Sequence, residues 1–455
     1  MNKEKITLHK FRFLLFYNYL KIIHNFMYYK KTYYIGRENI PHKGTPLLIV
    51  SNHQNAINDA LAIEFGFKHR IVSIFSRGDV FEHKILAAFL KFLYILPAYR
   101  LRTEGENNLT KNYVSFDEAN KRLLSGGAIA IFPEGTNQDK HWLGEFSLAY
   151  LRMAFSAAEE TNFEKDIQIL PIANHYSNYF LVRENLMLQI GKPISLQPYY
   201  ELYKTKPRTA QRQVNQLVYQ QIADMMLNVL DVENYEAIDY LRTTYGKRYA
   251  ENHGLAYRKL PQQLQSDKDL VAALDKAKTD DEQTINELYQ DTLCLKRATL
   301  QHKVRDWNFD KPFSVTSLIM QAFAFVLLFP VFVVALIPNI LLFYIPKPMA
   351  DKFKAKGGNM VLFAGGIQIV LNALFVIPIS FLLVFVADIL LFNWWIAVIH
   401  LLSLPLLGIF AWHYRLQFIK WCSRWRFRKL EKQGDFKQII KLRNKIRKQL
   451  DLLLK

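Results

Sequence analysis

Leu47-Leu48-Ile49-Val50-Ser51-Asn52-His53-Gln54-Asn55-Ala56-Ile57-Asn58-Asp59 decides the architecture. An apolar run without alternation stops at a cluster of polar residues. Such a run reads as a strand buried on both faces, the environment of a parallel sheet covered by helices. The polar cluster leaves the strand at its carboxyl end, where open α/β sheets place their ligands. Ile71-Val72-Ser73-Ile74-Phe75, Ala128-Ile129-Ala130-Ile131-Phe132 and Ile167-Gln168-Ile169-Leu170 repeat the pattern, with amphipathic stretches between them. The expected fold class is α/β, a mainly parallel sheet flanked by helices, over residues 35–200.

The 455 residues are enough for two or three modules, and 51% are apolar, which excludes a mostly disordered chain. With 59 basic and 40 acidic residues the net charge is +19. Two cysteines, Cys294 and Cys422, exclude a disulfide scaffold, a four-cysteine zinc site and a CxxC centre. Mean hydropathy is -0.03, an average over two unlike parts. Residues 1–34 mix Lys10, Arg12 and Lys21 with Phe11, Phe16 and Tyr19, the composition of an amphipathic helix lying in a membrane interface. Residues 201–312 are polar with a helical pattern, a linker or cap that carries no chemical motif.

Residues 313–413 read as a transmembrane region. Phe313–Tyr344, Met360–Ala387 and Ile389–Trp412 are apolar runs, each beyond the ~20 residues a bilayer crossing needs. Asp388 and Asn393 fall where a turn between the last two is expected. Basic residues precede the first run (Lys296, Arg297, Lys303, Arg305), follow it (Lys347, Lys352, Lys354, Lys356) and follow the third, where residues 414–455 form a basic tail. By the positive-inside rule every flank is cytoplasmic. That requires the first run to return to its own side, as a re-entrant hairpin turning at Pro330 or Pro338, beside two ordinary spans. Beside a membrane, basic residues attract anionic headgroups, so no nucleic-acid partner is expected.

Two clusters could carry chemistry. Histidine is the side chain best suited to accept a proton near neutral pH, and a nearby carboxylate can hold its ring tautomer. His53 with Asp59 offers that pair, with Asn58 as the neighbouring alternative. Phe132-Pro133-Glu134-Gly135-Thr136-Asn137 closes another strand and could position a polyol by hydrogen bonds. On spacing alone, a His near an Asp and a Pro-Glu-Gly turn are also ordinary structural features.

Together and in this order, the clusters resemble the glycerolipid acyltransferase superfamily, that of lysophosphatidic acid and glycerol-3-phosphate acyltransferases. Its hallmarks are an N-H-x4-D block and a later F-P-E-G-T/S block. Asn52-His53 and Phe132-Pro133-Glu134-Gly135-Thr136 match, Leu96-Pro97-Ala98-Tyr99-Arg100 resembles the family's phosphate-binding block, and Leu170-Pro171-Ile172 resembles a late V-P-x block. Two departures stand out. Asp59 comes one residue later than the family spacing, which places Asn58 at the usual position. The glycine that opens the arginine block is absent, Tyr94 precedes Arg100, and Arg102 is a rival phosphate ligand.

The resemblance implies direct acyl transfer with no enzyme nucleophile, cofactor or metal. His53 would take the proton of the acceptor hydroxyl, and Asp59 would orient His53. Arg100 would hold the acceptor phosphate, while Glu134, Gly135 and Thr136 would position the glycerol backbone. The donor would be acyl-CoA or acyl carrier protein. The acceptor would be lysophosphatidic acid, or alternatively glycerol-3-phosphate or an amino-acid-containing lyso-lipid. Membrane lipids would be partners. The absence of a signal-peptide pattern and the short loops favour a bacterial inner membrane over an internal eukaryotic membrane, with the catalytic domain cytoplasmic. A non-enzyme alternative is a membrane scaffold or transport protein with a degenerate acyltransferase domain.

Overall fold

In the computed structural model, which describes residues 3–67, 70–98, 107–137, 139–310, 313–356 and 363–454, Leu47–Ser51 is a strand with every residue buried. It sits at the middle of an eight-stranded sheet. In chain order the strands are β1 (Lys31–Ile35), β2 (Leu47–Ser51), β3 (Val72–Arg77), β4 (Ile95–Ala98), β5 (Ala128–Ile131), β6 (Gln168–Tyr176), β7 (Asn185–Ile190) and β8 (Ile194–Ser195). The spatial order is β1-β7-β6-β2-β5-β3-β4, with β8 beside β6. Both neighbours of β2 are parallel to it, and only the β6 pairings with β7 and β8 are antiparallel. The α/β expectation holds. Its four strands are β2, β3, β5 and β6, each found within a residue or two at its start, and β1, β4, β7 and β8 are additional.

The chain divides into two compact units. The first comprises residues 1–228 and 348–370. One face of its sheet is covered by α4 (Asn107–Leu124), α5 (Ala149–Glu159) and α6 (Pro207–Met225), through Leu123, Leu151, Phe155, Val214 and Ile222. The other face is covered by α2 (Ile57–Gly66), through Ala62 and Ile63. The unit therefore extends past residue 200 and takes back a short segment from the apolar region.

The N-terminal helix α1 (Lys3–Ile22) packs on the helix Lys84–Phe92, which is α3, by aromatic edges: Phe13 against Phe92 and Phe16 against Phe89. Phe11, Leu14, Leu15 and Ile22 remain exposed, as do Ile85 and Leu86 on α3. The segment thus docks on the fold by one face and offers an apolar surface with the other. Residues 31–34, placed with this helix by composition, belong to β1.

The second unit comprises residues 229–347 and 371–455. Its helices Tyr235–Asn252, Leu260–Asp280 and Glu282–Gln301 pack around Leu241, Leu270 and Leu288, and Gly434–Leu453 lies on the last of them. Arg242 pairs with Asp239 and Asp267, and buried Arg443 with Asp306 and Asp310.

Among the described residues, three helical stretches are long and apolar enough to cross a membrane: Val315–Leu342, Phe363–Leu391 and Trp394–Leu430. The re-entrant hairpin is corrected. Val315–Tyr344 is one helix with Pro330 and Pro338 inside it. Apolar surroundings tolerate helix prolines because neighbouring helices re-satisfy the freed backbone groups. The one-sided placement of every basic flank loses its basis with the hairpin. Asp388 is corrected too, since it lies within the helix Ile377–Leu391, where its carboxylate meets His400 Nδ1 at 2.7 Å. Only Asn393 marks the turn, capping the next helix by accepting the Ile396 N–H.

Candidate active site

The site forms where β2 ends between β5 and β6. Asn52 closes the β2–β6 pairing beyond the last ladder residue. Its side chain donates to the Asn174 carbonyl at 3.0 Å and accepts the Asn174 N–H at 2.7 Å. His53 follows, released from the sheet but held from two sides. Its backbone N–H donates to Glu134 Oε1 at 2.7 Å, and its ring stacks on Phe132 at 4.2 Å.

His53 Nδ1 lies 2.9 Å from Asp59 Oδ2, and the His53 side chain is 19% exposed while that of Asp59 is wholly buried. Asp59 also accepts the Asn55 N–H at 2.7 Å and the Tyr176 hydroxyl at 2.7 Å. These donors fix the carboxylate. A carboxylate at Nδ1 selects the tautomer with the proton there, leaving Nε2 as the acceptor. Burial, reinforced by the adjacent Asp59, pushes the Tyr176 phenol well above its ordinary value, so it stays a donor.

The extra residue between His53 and Asp59 is absorbed in one turn. Ala56 adopts φ 47° and ψ −121°, and the Asn58 N–H closes the turn on the Asn55 carbonyl at 2.9 Å. These are the angles of the first central position of a type II′ turn, where glycine is usual. The turn starts α2 so that Asp59, not Asn58, faces the ring. The Asn58 amide instead donates to Asn55 Oδ1 at 3.2 Å.

Glu134 is tied to the frame of the site. Oε1 takes the His53 amide, and Oε2 takes the Gly144 N–H at 3.0 Å. Burial raises its carboxyl to about 7, against the pull of those two amides and of His53. A Cβ on Gly144 would stand 2.7 Å from Oε2, so any larger residue there would push the Glu134 carboxylate from its place. Gly135 turns the chain at φ 68°, and Gly135 and Thr136 are exposed beside the site.

Arg100 and Arg102 lie outside the described residues. Upstream of them, Tyr94 takes φ 60°, in the left-handed region that favours glycine. Its ring packs edge-on against Phe13, and its carbonyl accepts from Arg122 at 3.2 Å.

Tyr176 and Gly144 were not singled out by sequence reasoning. Nor was a polar chain beside His53, in which His141 Nδ1 meets the Tyr179 hydroxyl at 2.9 Å. That hydroxyl donates to Gln54 Oε1 at 2.9 Å, and the His175 ring lies 5.7 Å from that of His141. For Tyr176 a signal existed. It follows Leu170-Pro171-Ile172 by strand alternation, on the sheet face that carries α2.

Residues 31–175 match the family model described as Acyltransferase. An uncharacterised acyltransferase of Schizosaccharomyces pombe is 30% identical over 132 residues, 29% of this chain and 19% of the relative. A chloroplastic 1-acyl-sn-glycerol-3-phosphate acyltransferase of Brassica napus is 25% identical over 177 residues, 37% of this chain and 46% of the relative. A second chloroplastic protein of that name, from Arabidopsis thaliana, is 25% identical over 137 residues, 30% of this chain and 34% of the relative. The chain thus matches less than half the length of each. The crystal structure of the 1-acyl-sn-glycerophosphate acyltransferase of Thermotoga maritima overlaps with a TM-score of 0.36 at 15% identity, over 49% of this chain and 83% of that one. A yeast and two plants as sources of the curated relatives do not support a bacterial inner membrane.

Proposed function

We propose that this chain, whose residues 31–175 form an acyltransferase domain of the glycerolipid acyltransferase superfamily, moves a fatty acyl group from a thioester to the free hydroxyl of lysophosphatidic acid. The observation that carries the reading is the His53–Asp59 contact at the carboxyl end of β2, with His53 pinned by Glu134. A thioester is already activated, so the protein needs a base and a frame rather than a nucleophile of its own. His53 Nε2 takes the hydroxyl proton as that oxygen attacks the thioester carbonyl. Asp59 stabilises the imidazolium. The tetrahedral intermediate then expels the thiolate, which recovers the proton from His53. Holding both reactants in line supplies much of the rate.

Acyl-CoA or acyl carrier protein serves as donor, and either acidic molecule suits a chain of charge +19. Arg100, with Arg102 as its neighbour, binds the acceptor phosphate as a planar bidentate donor. Gly135 and Thr136 contact the glycerol backbone, and Glu134 acts by holding His53. The exposed apolar faces of α1 and α3 and the three candidate spans support work at a membrane on a lipid acceptor. The test is acyl transfer by membranes carrying native or His53→Ala protein. Acceptors are lysophosphatidic acid, glycerol-3-phosphate and a lyso-aminolipid, each with labelled acyl-CoA and acyl carrier protein. Transfer to lysophosphatidic acid, abolished by His53→Ala, is expected. Native and substituted membranes behaving alike on every acceptor would overturn the enzyme reading and favour the scaffold.

A further inference from the structure

The helix Phe363–Leu371 lies beyond the region that matches the acyltransferase family, and it opens the candidate span Phe363–Leu391. Yet residues 348–370 belong to the catalytic unit. Ile369 is buried in the same cluster as Ile49, Ala56 and Ile63, and Phe363 packs on that cluster.

The contact is made through glycine. A Cβ on Gly366 would lie 2.7 Å from Ile57 Cβ, and a Cβ on Gly365 would lie 2.8 Å from the Tyr28 hydroxyl and 3.6 Å from Asn58 Nδ2. The first collision is with the branch point of a β-branched side chain, which cannot swing aside. Two helical glycines cost about 1 kcal/mol each relative to alanine. Here that cost permits backbone contact with Ile57 and Asn58, the two residues immediately before Asp59. They also follow Ala56, whose φ of 47° is a strained conformation for alanine. Such a conformation persists only where the surroundings over-determine it.

We propose that the helix Phe363–Leu371 is a positioning element for the catalytic dyad. By seating Gly365 and Gly366 against Tyr28, Ile57 and Asn58, it holds the strained turn that brings Asp59 onto His53. The chemistry of the domain thereby depends on the seating of a helix that continues as an apolar span. This rests on the acyltransferase reading only for its kinetic readout.

The test uses the full-length protein in lipid nanodiscs, comparing native, Gly366→Val and Gly366→Val with Ile57→Ala. Two quantities are measured: kcat and KM for acyl transfer, and the rate of diethyl pyrocarbonate modification of His53, followed by mass spectrometry. Thermal melting confirms which variants are folded. Gly366→Val is expected to lower kcat by about 100-fold, the order of loss from ångström-scale misplacement, with little change in KM, and to alter the His53 modification rate. Ile57→Ala keeps Cβ but removes Cδ1 and Cγ1, 3.2 and 3.3 Å from the added atom, and with them the branching that stops Ile57 from yielding, so it is expected to restore part of both. A folded Gly366→Val protein with native kcat and native His53 reactivity would overturn the proposal. So would a loss that Ile57→Ala fails to reverse. If the native protein transfers no acyl group, the acyltransferase reading fails, and the His53 modification rates still decide the coupling.

Discussion

At the residue scale, three donors surround one carboxylate. Tyr176 and the Asn55 amide hold Asp59, and Asp59 holds His53. A hydrogen bond to a charged group contributes about 1.5–3 kcal/mol. Tyr176→Phe should therefore lower kcat by about ten-fold or more, with KM for either substrate little changed, as read by steady-state kinetics on folded protein. Gly144→Ala should perturb the same reaction from the other side, because its methyl group meets Glu134 Oε2 at 2.7 Å. His53, Asp59 and Glu134 were legible in the sequence because their two blocks, in order, resemble those of an acyltransferase family; spacing alone did not set them apart from ordinary structural features. Strand alternation from Leu170-Pro171-Ile172 gave a signal for Tyr176's face, but the roles of Tyr176, Gly144 and Tyr179 depend on the register that sets β6 and the loop after β5 beside His53. That register is a long-range property.

At the element scale, α2 carries both the insertion and its compensation. Ala56 adopts a conformation that glycine takes without strain, so Ala56→Gly should raise stability by about 1 kcal/mol or more, measured by thermal or denaturant unfolding. Activity that survives this change would show that the turn's shape, not alanine itself, matters. The same helix buries Glu64, whose carboxyl is raised by burial to about 8 from an ordinary 4.5, while the Val72 backbone opposes the rise. A group raised on folding contributes stability that is full below about 4.5 and is lost as pH rises through about 8. Glu64→Gln should thus raise the melting temperature at pH 9 and change it little near pH 4.5. A variant that melts like the native protein at both would contradict the buried placement. The later elements were harder to read. Apolar composition located the helical stretches but not the continuity of Val315–Tyr344 through its two prolines, which depends on what packs around them.

At the scale of the whole molecule, the acyltransferase domain is not a self-contained N-terminal block. Its unit runs to residue 228 and recovers residues 348–370, including the glycines that meet α2. A chain ending at 228 should therefore be less stable and more readily proteolysed than the same unit in the full-length protein. Equal protection from protease in both would show that 348–370 is dispensable. Sequence alone separated an α/β part from an apolar part by composition. It did not show that a piece of the apolar part returns to the catalytic unit, because composition records what a segment buries but not against which partner.

In the proposed reaction His53 and Asp59 act as one base. The most direct measurement is kcat for acyl transfer to lysophosphatidic acid by native protein, His53→Ala, Asp59→Asn and the double variant. Residues that act as a unit are strongly non-additive. His53→Ala should abolish transfer above background, Asp59→Asn should impair it severely, and the double variant should be no worse than His53→Ala. Retained turnover in His53→Ala, or independent losses that multiply in the double variant, would contradict action as one base.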